Sequence, residues 1–215
     1  MVKLVHSNLP GNEVIKNAFR SEERLLPETP VRELLANALI HQDFTATGGT
    51  VLVEIYGNRL EVSNPGEPIL PVDRFIDEFR SRNERLADLM RRFGICEERS
   101  SGIDRVIYAA EECQLPPPEF RASNQRTLVI INGPKEFDEM ARDERTRACY
   151  QHCVLKFVSQ QRMTNLTLRK RFDLPESKLK AVSQMISAAI EAKVIRPDEA
   201  VGASRKFARY VPYWA

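Results

Sequence analysis

The 215-residue chain is short of cysteine, tryptophan and glycine, and it has no long apolar run. Uninterrupted apolar stretches such as Leu128 to Ile131 fall far below the roughly 20 residues that cross a bilayer. The N-terminus lacks the basic start and apolar core of a signal peptide. A cytoplasmic protein with no membrane partner is therefore expected. Missing too is any G-x-x-x-x-G-K-[ST] loop to cradle NTP phosphates, and 215 residues leave no room for two motor domains. The chain is not a helicase motor by itself. Of its four cysteines only Cys149 and Cys153 are close, and no second pair completes a zinc cluster. Their spacing puts both on one helical face, where free thiols behave as small hydrophobes. His152 is the one neighbour that could join them in a metal site, and reduced core thiols are the expectation.

Hydrophobic residues make up 42% of the chain and charged residues 29%, ordinary for a soluble globular protein of one large or two small domains. The net charge of +2 conceals an asymmetry. From Arg145 to Ala215 there are 14 Lys/Arg against 5 Asp/Glu, a net +9, while the preceding residues carry −7. A basic tail on an acidic body directs only the tail toward a polyanion.

Along the chain, little periodicity precedes Pro30. A helix is expected over Arg32–His41 and a strand over Thr50–Tyr56. Gly57-Asn58 turns into a partner strand at Leu60–Val62, which Asn64-Pro65-Gly66 ends. Helical spacing returns at Leu86, Leu89, Met90 and Phe93, closed by Gly94, and again at Ile103, Val106, Ile107 and Ala110. Pro116-Pro117-Pro118 stops that helix, and Arg126–Asn132 reads as a final strand. The expected division is a domain over 1–134, a charged linker over 135–144 and a second domain over 145–215.

In the first helix Glu33, Asn37 and His41 recur at i, i+4 and i+8, within about 80° of one another, opposite an apolar face of Leu34, Leu35, Ala38 and Leu39. Such a stripe faces either solvent or a cleft. Arg32 to Phe44 reads R-E-x-x-x-N-A-x-x-H-x-D-[YF]. With the strand-turn-strand ending in Asn64-Pro65-Gly66, the Asn83–Phe93 block and Glu98-Arg99-Ser100-Ser101-Gly102-Ile103, it resembles a family of RecG-like putative transcriptional regulators. These are a divergent branch of the gyrase/Hsp90/histidine-kinase (GHKL) ATPase superfamily. The terminal Tyr210–Ala215 is similar to a recurrent ending of that family.

The resemblance implies a GHKL-type α/β sandwich that binds ATP with Mg²⁺. It implies Asn37 as the metal ligand, Glu33 as the residue that orients or deprotonates water, and His41 beside them. Asn64 falls where the superfamily reads the adenine amino group with aspartate, and Gly66 follows it. An amide accepts such a bond, more weakly than a carboxylate. Ser101-Gly102 stands where a glycine turn at a helix start holds phosphate. Glycines are sparse there and little chain lies between the boxes to form a lid, so turnover is expected to be slow or absent.

The last 70 residues read as a second pattern. A helix from Arg145 to Gln160, a short helix Leu166–Phe172 capped by Thr164 or Asn165, a turn at Asp173-Leu174-Pro175 and a helix from Glu176 follow in order. Arg196–Arg209 then reads as a wing hairpin. This is the order of a winged helix-turn-helix that binds double-stranded DNA through its last helix. Candidate contacts are Ser177, Lys178, Lys180 and Gln184 on that helix, Arg169, Lys170 and Arg171 before it, and Arg205 and Lys206 in the wing.

The resulting expectation is an α+β protein: an ATPase-like α/β sandwich followed by an α+β winged helix-turn-helix, acting as a DNA-binding transcriptional regulator. Two alternatives stand beside it. One is an active Mg²⁺-dependent ATPase. The other is a degenerate scaffold whose ATPase-like fold only forms a homodimer, and a winged helix can also serve protein contacts.

Overall fold

A computed structural model describes every residue except Pro10, 17–18, 97–101 and 199–207, and gives backbone only for 12–23. The chain forms two compact units: residues 1–113 with 118–134, and residues 114–117 with 135–215. The architecture is mixed α/β, with seven helices and a four-stranded antiparallel sheet among the described residues. No described helix is long and apolar enough to cross a membrane.

The first unit opens with helix α1 (Val2–Asn8) and the antiparallel pair β1 (Gly11–Lys16) and β2 (Phe19–Arg24), which the uneven N-terminal pattern had not announced. Helix α2 (Glu28–His41) begins a turn earlier than its apolar spacing suggests. Its sheet consists of β3 (Leu52–Tyr56), β4 (Arg59–Pro65), β5 (Glu119–Ser123) and β6 (Arg126–Asn132) in the order β3-β4-β6-β5. Helices α3 (Glu84–Arg92) and α4 (Ile103–Glu112) complete the unit.

Period-two alternation orients the sheet. Leu60, Val62 and Asn64 share one face of β4, and their β6 partners are Ile131, Val129 and Thr127. Leu60 and Ile131 are fully buried, so this face is the one covered by helix α2. Asn64 and Thr127 are carried onto it by register alone. The turn residues do not end β4 before Asn64, as the sequence had suggested. Asn64 and Pro65 still pair with β6, and Pro65 takes the last position, where a strand tolerates the missing N–H. Strand β5, with its mixed Glu-Phe-Arg-Ala-Ser sequence, was not expected. It joins β6 through Asn124-Gln125, both at positive φ, the signature of a two-residue hairpin turn.

In the second unit the charged stretch 135–144 is ordered. A 3-10 turn spans Phe137–Glu139, and helix α5 (Arg142–Val158) starts within it. Phe137 and Met140 are buried, Phe137 stacks edge-on against Phe172 at 5.1 Å, and Lys135 pairs with Glu144 at 2.7 Å. Apolar anchors between the charges explain why no free linker forms there. Helix α6 (Asn165–Arg171) follows, then a 3-10 turn at Glu176–Lys178, helix α7 (Leu179–Glu191), and an antiparallel pair of β7 (Ile195–Pro197) with β8 (Tyr210–Pro212). Met163 bridges to Tyr210.

Thr164 caps α6, its hydroxyl accepting from the Thr167 amide at 3.2 Å while Thr167 returns the bond to the Thr164 amide. Leu168, Val182, Met163 and Val154 are fully buried beneath these helices. Cys149 and Cys153 join them as free thiols, both driven upward in pKa by burial, Cys153 to about 12. Trp214 donates to the Tyr150 hydroxyl at 3.2 Å and meets Phe157 edge-on, which pins the tail to α5.

Candidate nucleotide cavity and basic helical face

Six polar residues of the first unit line one cavity of about 70 Å³: Asn37 and His41 from α2, Asn64 from β4, Thr127 from β6, and Glu78 and Arg80 from the segment before α3. The rest of the lining is mainly apolar, including Leu34, Val62, Ile103 and Val129. The one-faced stripe of α2 therefore looks into the protein at Asn37 and His41. The Asn64 carboxamide donates to its neighbour's carbonyl, Pro65 O, at 3.0 Å. That fixes its orientation and leaves Oδ1 as an acceptor suited to an amino group.

Thr127 is a residue that the sequence reading missed. It is 9% exposed, sits directly across from Asn64, and donates to Gly66 O at 2.9 Å. The signal for it was present in the strand alternation, once β4 and β6 are known to be neighbours.

His41 is held neutral. Burial, assisted by the nearby Arg82 guanidinium, lowers its pKa to about 4. Arg82 also closes the end of α2, donating to His41 O at 3.1 Å and to Glu67 O. The Asn83 carboxamide donates to Ile40 O at 2.8 Å and Gln42 O at 2.7 Å. Arg82-Asn83 thus satisfies carbonyls that a helix C-terminus leaves without partners. Gly66 lies at the same junction with φ +105°, where a side chain would strike Asp43.

Glu33 is placed differently from the expectation. It is buried at 3% exposure and does not line the cavity; its carboxylate accepts from Arg32 at 3.0 Å and packs against Gly102. A Cβ on Gly102 would stand 2.7 Å from Glu33 Oε2, and its φ is +71°, so only glycine fits. Gly102 caps α4 and places Ile103 on the cavity wall. Ser101 lies outside the described residues.

The segment between β4 and α3 covers the cavity. Pro68, Ile69, Leu70, Phe75, Glu78, Phe79 and Arg80 all line it. The short interval between the two glycine turns thus supplies cover that the sequence did not promise. Ligand pockets typically offer about 300–1,000 Å³, and the covered cavity is smaller than that. The donor set itself suits an adenine nucleotide: a carboxamide and a threonine beside an apolar slot, and one amide oxygen, Asn37, for a hard cation. Among the described residues no three His, Cys, Asp or Glu side chains gather as a metal site, so Asn37 would bind Mg²⁺ only together with phosphate oxygens.

In the second unit the proposed DNA contacts separate by burial. Lys170, Ser177, Lys180 and Gln184 are exposed, and Arg169 is half-buried. Arg171 is buried at 6% exposure and its guanidinium donates to Leu115 O, so it serves the core of its own unit and is not available to DNA. Lys178 is committed to Asp138 at 2.7 Å. Arg205 and Lys206 lie outside the described residues. Ser183 and Ser187, which the sequence reading did not single out, complete an exposed i, i+3, i+4, i+7 stripe with Lys180 and Gln184.

Comparison with known proteins agrees with the first unit. Residues 48–131 match the family described as putative ATP-dependent DNA helicase recG C-terminal. The match includes Asn64, Gly66, Gly102 and Thr127 but not α2, so Asn37 and His41 rest on geometry and on the motif. Curated proteins give no match. Among solved structures, the DIP2311 protein from Corynebacterium diphtheriae is 21% identical, with a TM-score of 0.55 over 87% of this chain. The chain spans 39% of that protein's length, and the likeness is one of fold.

Proposed function

We propose that this chain is a DNA-binding regulatory protein whose ATPase-like unit receives an adenine nucleotide. The observation that carries the DNA half is the second unit's build. Three helices closed by the β7–β8 pair have the order of a winged helix-turn-helix, and α7 turns a stripe of Lys180, Ser183, Gln184 and Ser187 outward with no carboxylate among them. The unit is basic, and its polar stripe is the surface that this reading assigns to the major groove.

The test is fluorescence anisotropy of the full chain on duplex DNA across a salt series. The full chain is needed because Leu115 and residues 135–144 belong to the same unit as α7. Lys170→Ala and Lys180→Ala should each flatten the salt slope by about 0.9 per lost phosphate contact. Gln184→Ala should alter sequence preference, a bidentate adenine contact being worth about 1–3 kcal/mol. A folded chain without salt-dependent DNA binding would show that the second unit is a protein-contact module.

The nucleotide half is supported by the convergence of Asn37, His41, Asn64 and Thr127 on one cavity. Asn37→Ala should weaken Mg²⁺-dependent ATP binding in calorimetry without unfolding α2, since alanine is the better helix former. Equal affinity in both proteins would remove Asn37 from the site. Turnover should be slow, because the Glu33 carboxylate is engaged by Arg32 and lies outside the cavity.

A further inference from the structure

We propose that two copies of this chain pair antiparallel through the open edge of β3, in a register centred on Val53. The four-stranded sheet ends in β3 on one side and in β5 on the other. An edge strand presents a row of unpaired N–H and C=O groups, and proteins blunt such edges with proline, lysine, bulges or covering segments.

The two edges differ. Strand β5 is entered from Pro116-Pro117-Pro118 and carries Glu119 and Arg121. It also packs against the 3-10 turn Val72–Arg74, beyond which Phe75 meets Phe120 edge-on at 5.6 Å. Strand β3 has none of these devices. Residues 50–56 include no proline, lysine or arginine, and the pairing with β4 runs from Leu52 to Tyr56 without a bulge. Among the described residues β4 is the one strand hydrogen-bonded to β3, and Leu52, Ile55 and Tyr56 are exposed.

The pattern of the strand selects its occupant. Residues 50–56 lie between Gly49 and Gly57, and Val53 is their midpoint. A two-fold axis at Val53 sets Val53 across from itself, Val51 across from Ile55, Leu52 across from Glu54 and Thr50 across from Tyr56. Alternation then puts Val51, Val53 and Ile55 of both copies on one face. That is the face on which Leu60 and Val62 of β4 are buried under α2. Ile55, 37% exposed at its rim, gains β-branched neighbours. No carboxylate stands directly across from another, as it would with the axis moved to Glu54. An axis at Leu52 would set Ile55 and Tyr56 across from Gly49 and Gly48. Pairing occupies β3 of both copies, and the guarded β5 edges stop the assembly at a dimer. Two short strands bury less than the roughly 1,200–2,000 Å² of a standard interface, so the dimer is weak and concentration-dependent.

The experiment is sedimentation velocity of the full chain over a concentration series, with amide hydrogen exchange of residues 50–56 measured at both ends of the series. The mass should rise from one copy to two, and alternate amides of 50–56 should become protected as it does. Ile55→Lys places a charge against Val51 on the apolar face and should weaken the dimer by about tenfold or more. Leu52→Lys faces Glu54 of the other copy and should keep or tighten it. Tyr108→Lys, at a 59% exposed position on α4, should leave it unchanged. All three substitutions fall on exposed residues, and circular dichroism checks that each variant is folded. A monomer at every concentration, assembly beyond two copies, equal weakening by both β3 lysines, or a dimer whose 50–56 amides exchange as in the monomer would each overturn the proposal.

Discussion

The two units spend their polar residues in opposite ways. In the first, Asn64 and Thr127 are buried on the helix-covered face of the sheet, and Asn37 and His41 are turned inward with them. In the second, α7 keeps Val182, Met185, Ile186 and Ala189 inside and leaves its polar residues in water. Buried polar groups must be satisfied, and Asn64 and Thr127 donate to Pro65 O and Gly66 O. Exposed cations discriminate little by shape and respond to a polyanion through counterion release. The contrast is between a unit that gathers polar side chains around a cavity and one that leaves its cations in water.

The sharpest way to break this contrast is to remove the core of one unit alone. Leu168 is fully buried, and Leu168→Ala should cost about 2–5 kcal/mol in urea unfolding. DNA binding should fall with it, while calorimetric ATP binding at low urea persists. Loss of both together would mean that the units do not behave independently.

Next in size is the pH response of the first unit. His41 in the folded state has its pKa lowered to about 4, below its ordinary value of 6.5. The unfolded chain therefore takes up the proton first as pH falls. Stability contributed by neutral His41 is complete above pH 6.5 and is lost as pH drops toward 4. By pH 5 the loss should reach about 2 kcal/mol. Urea midpoints at neutral and acid pH should show this drop in the wild type and a flatter profile in His41→Gln. A profile unchanged by the substitution would assign the pH dependence to other groups.

The smallest effects distinguish two neighbours in α6. Arg171→Ala should cost about 1–3 kcal/mol of stability, because it removes a buried charged donor from Leu115 O. Lys170→Ala should leave stability within about 0.5 kcal/mol and act only on the salt slope. Identical behaviour of the two variants would erase the distinction between buried and exposed cations.

Much of the secondary structure was legible. The apolar spacing of α3, α4 and α7, the Gly57-Asn58 turn and the Thr164 cap are local features, governed by residues a few positions apart. The N-terminal β1–β2 pair and strand β5 were not legible, because their sequences mix polar and apolar residues without period and their pairing comes from partner strands. The candidate cavity was half legible. Asn37, His41 and Asn64 were singled out, whereas Thr127 and the covering segment around Phe75 and Phe79 depend on contacts far apart in sequence.

Local chemistry by itself determined that α2 to α7 are helices, the charge asymmetry between the two ends, and the stripe that carries Asn37 and His41. Tertiary structure alone decided which polar residues have work inside the fold. It turned Glu33 toward Arg32 and Gly102, buried Arg171 against Leu115 O, and spent Asn83 on the end of α2. The physical reason is that a side chain's charge and shape are written in its identity, while its burial and its partner are set by whichever distant backbone the fold brings beside it.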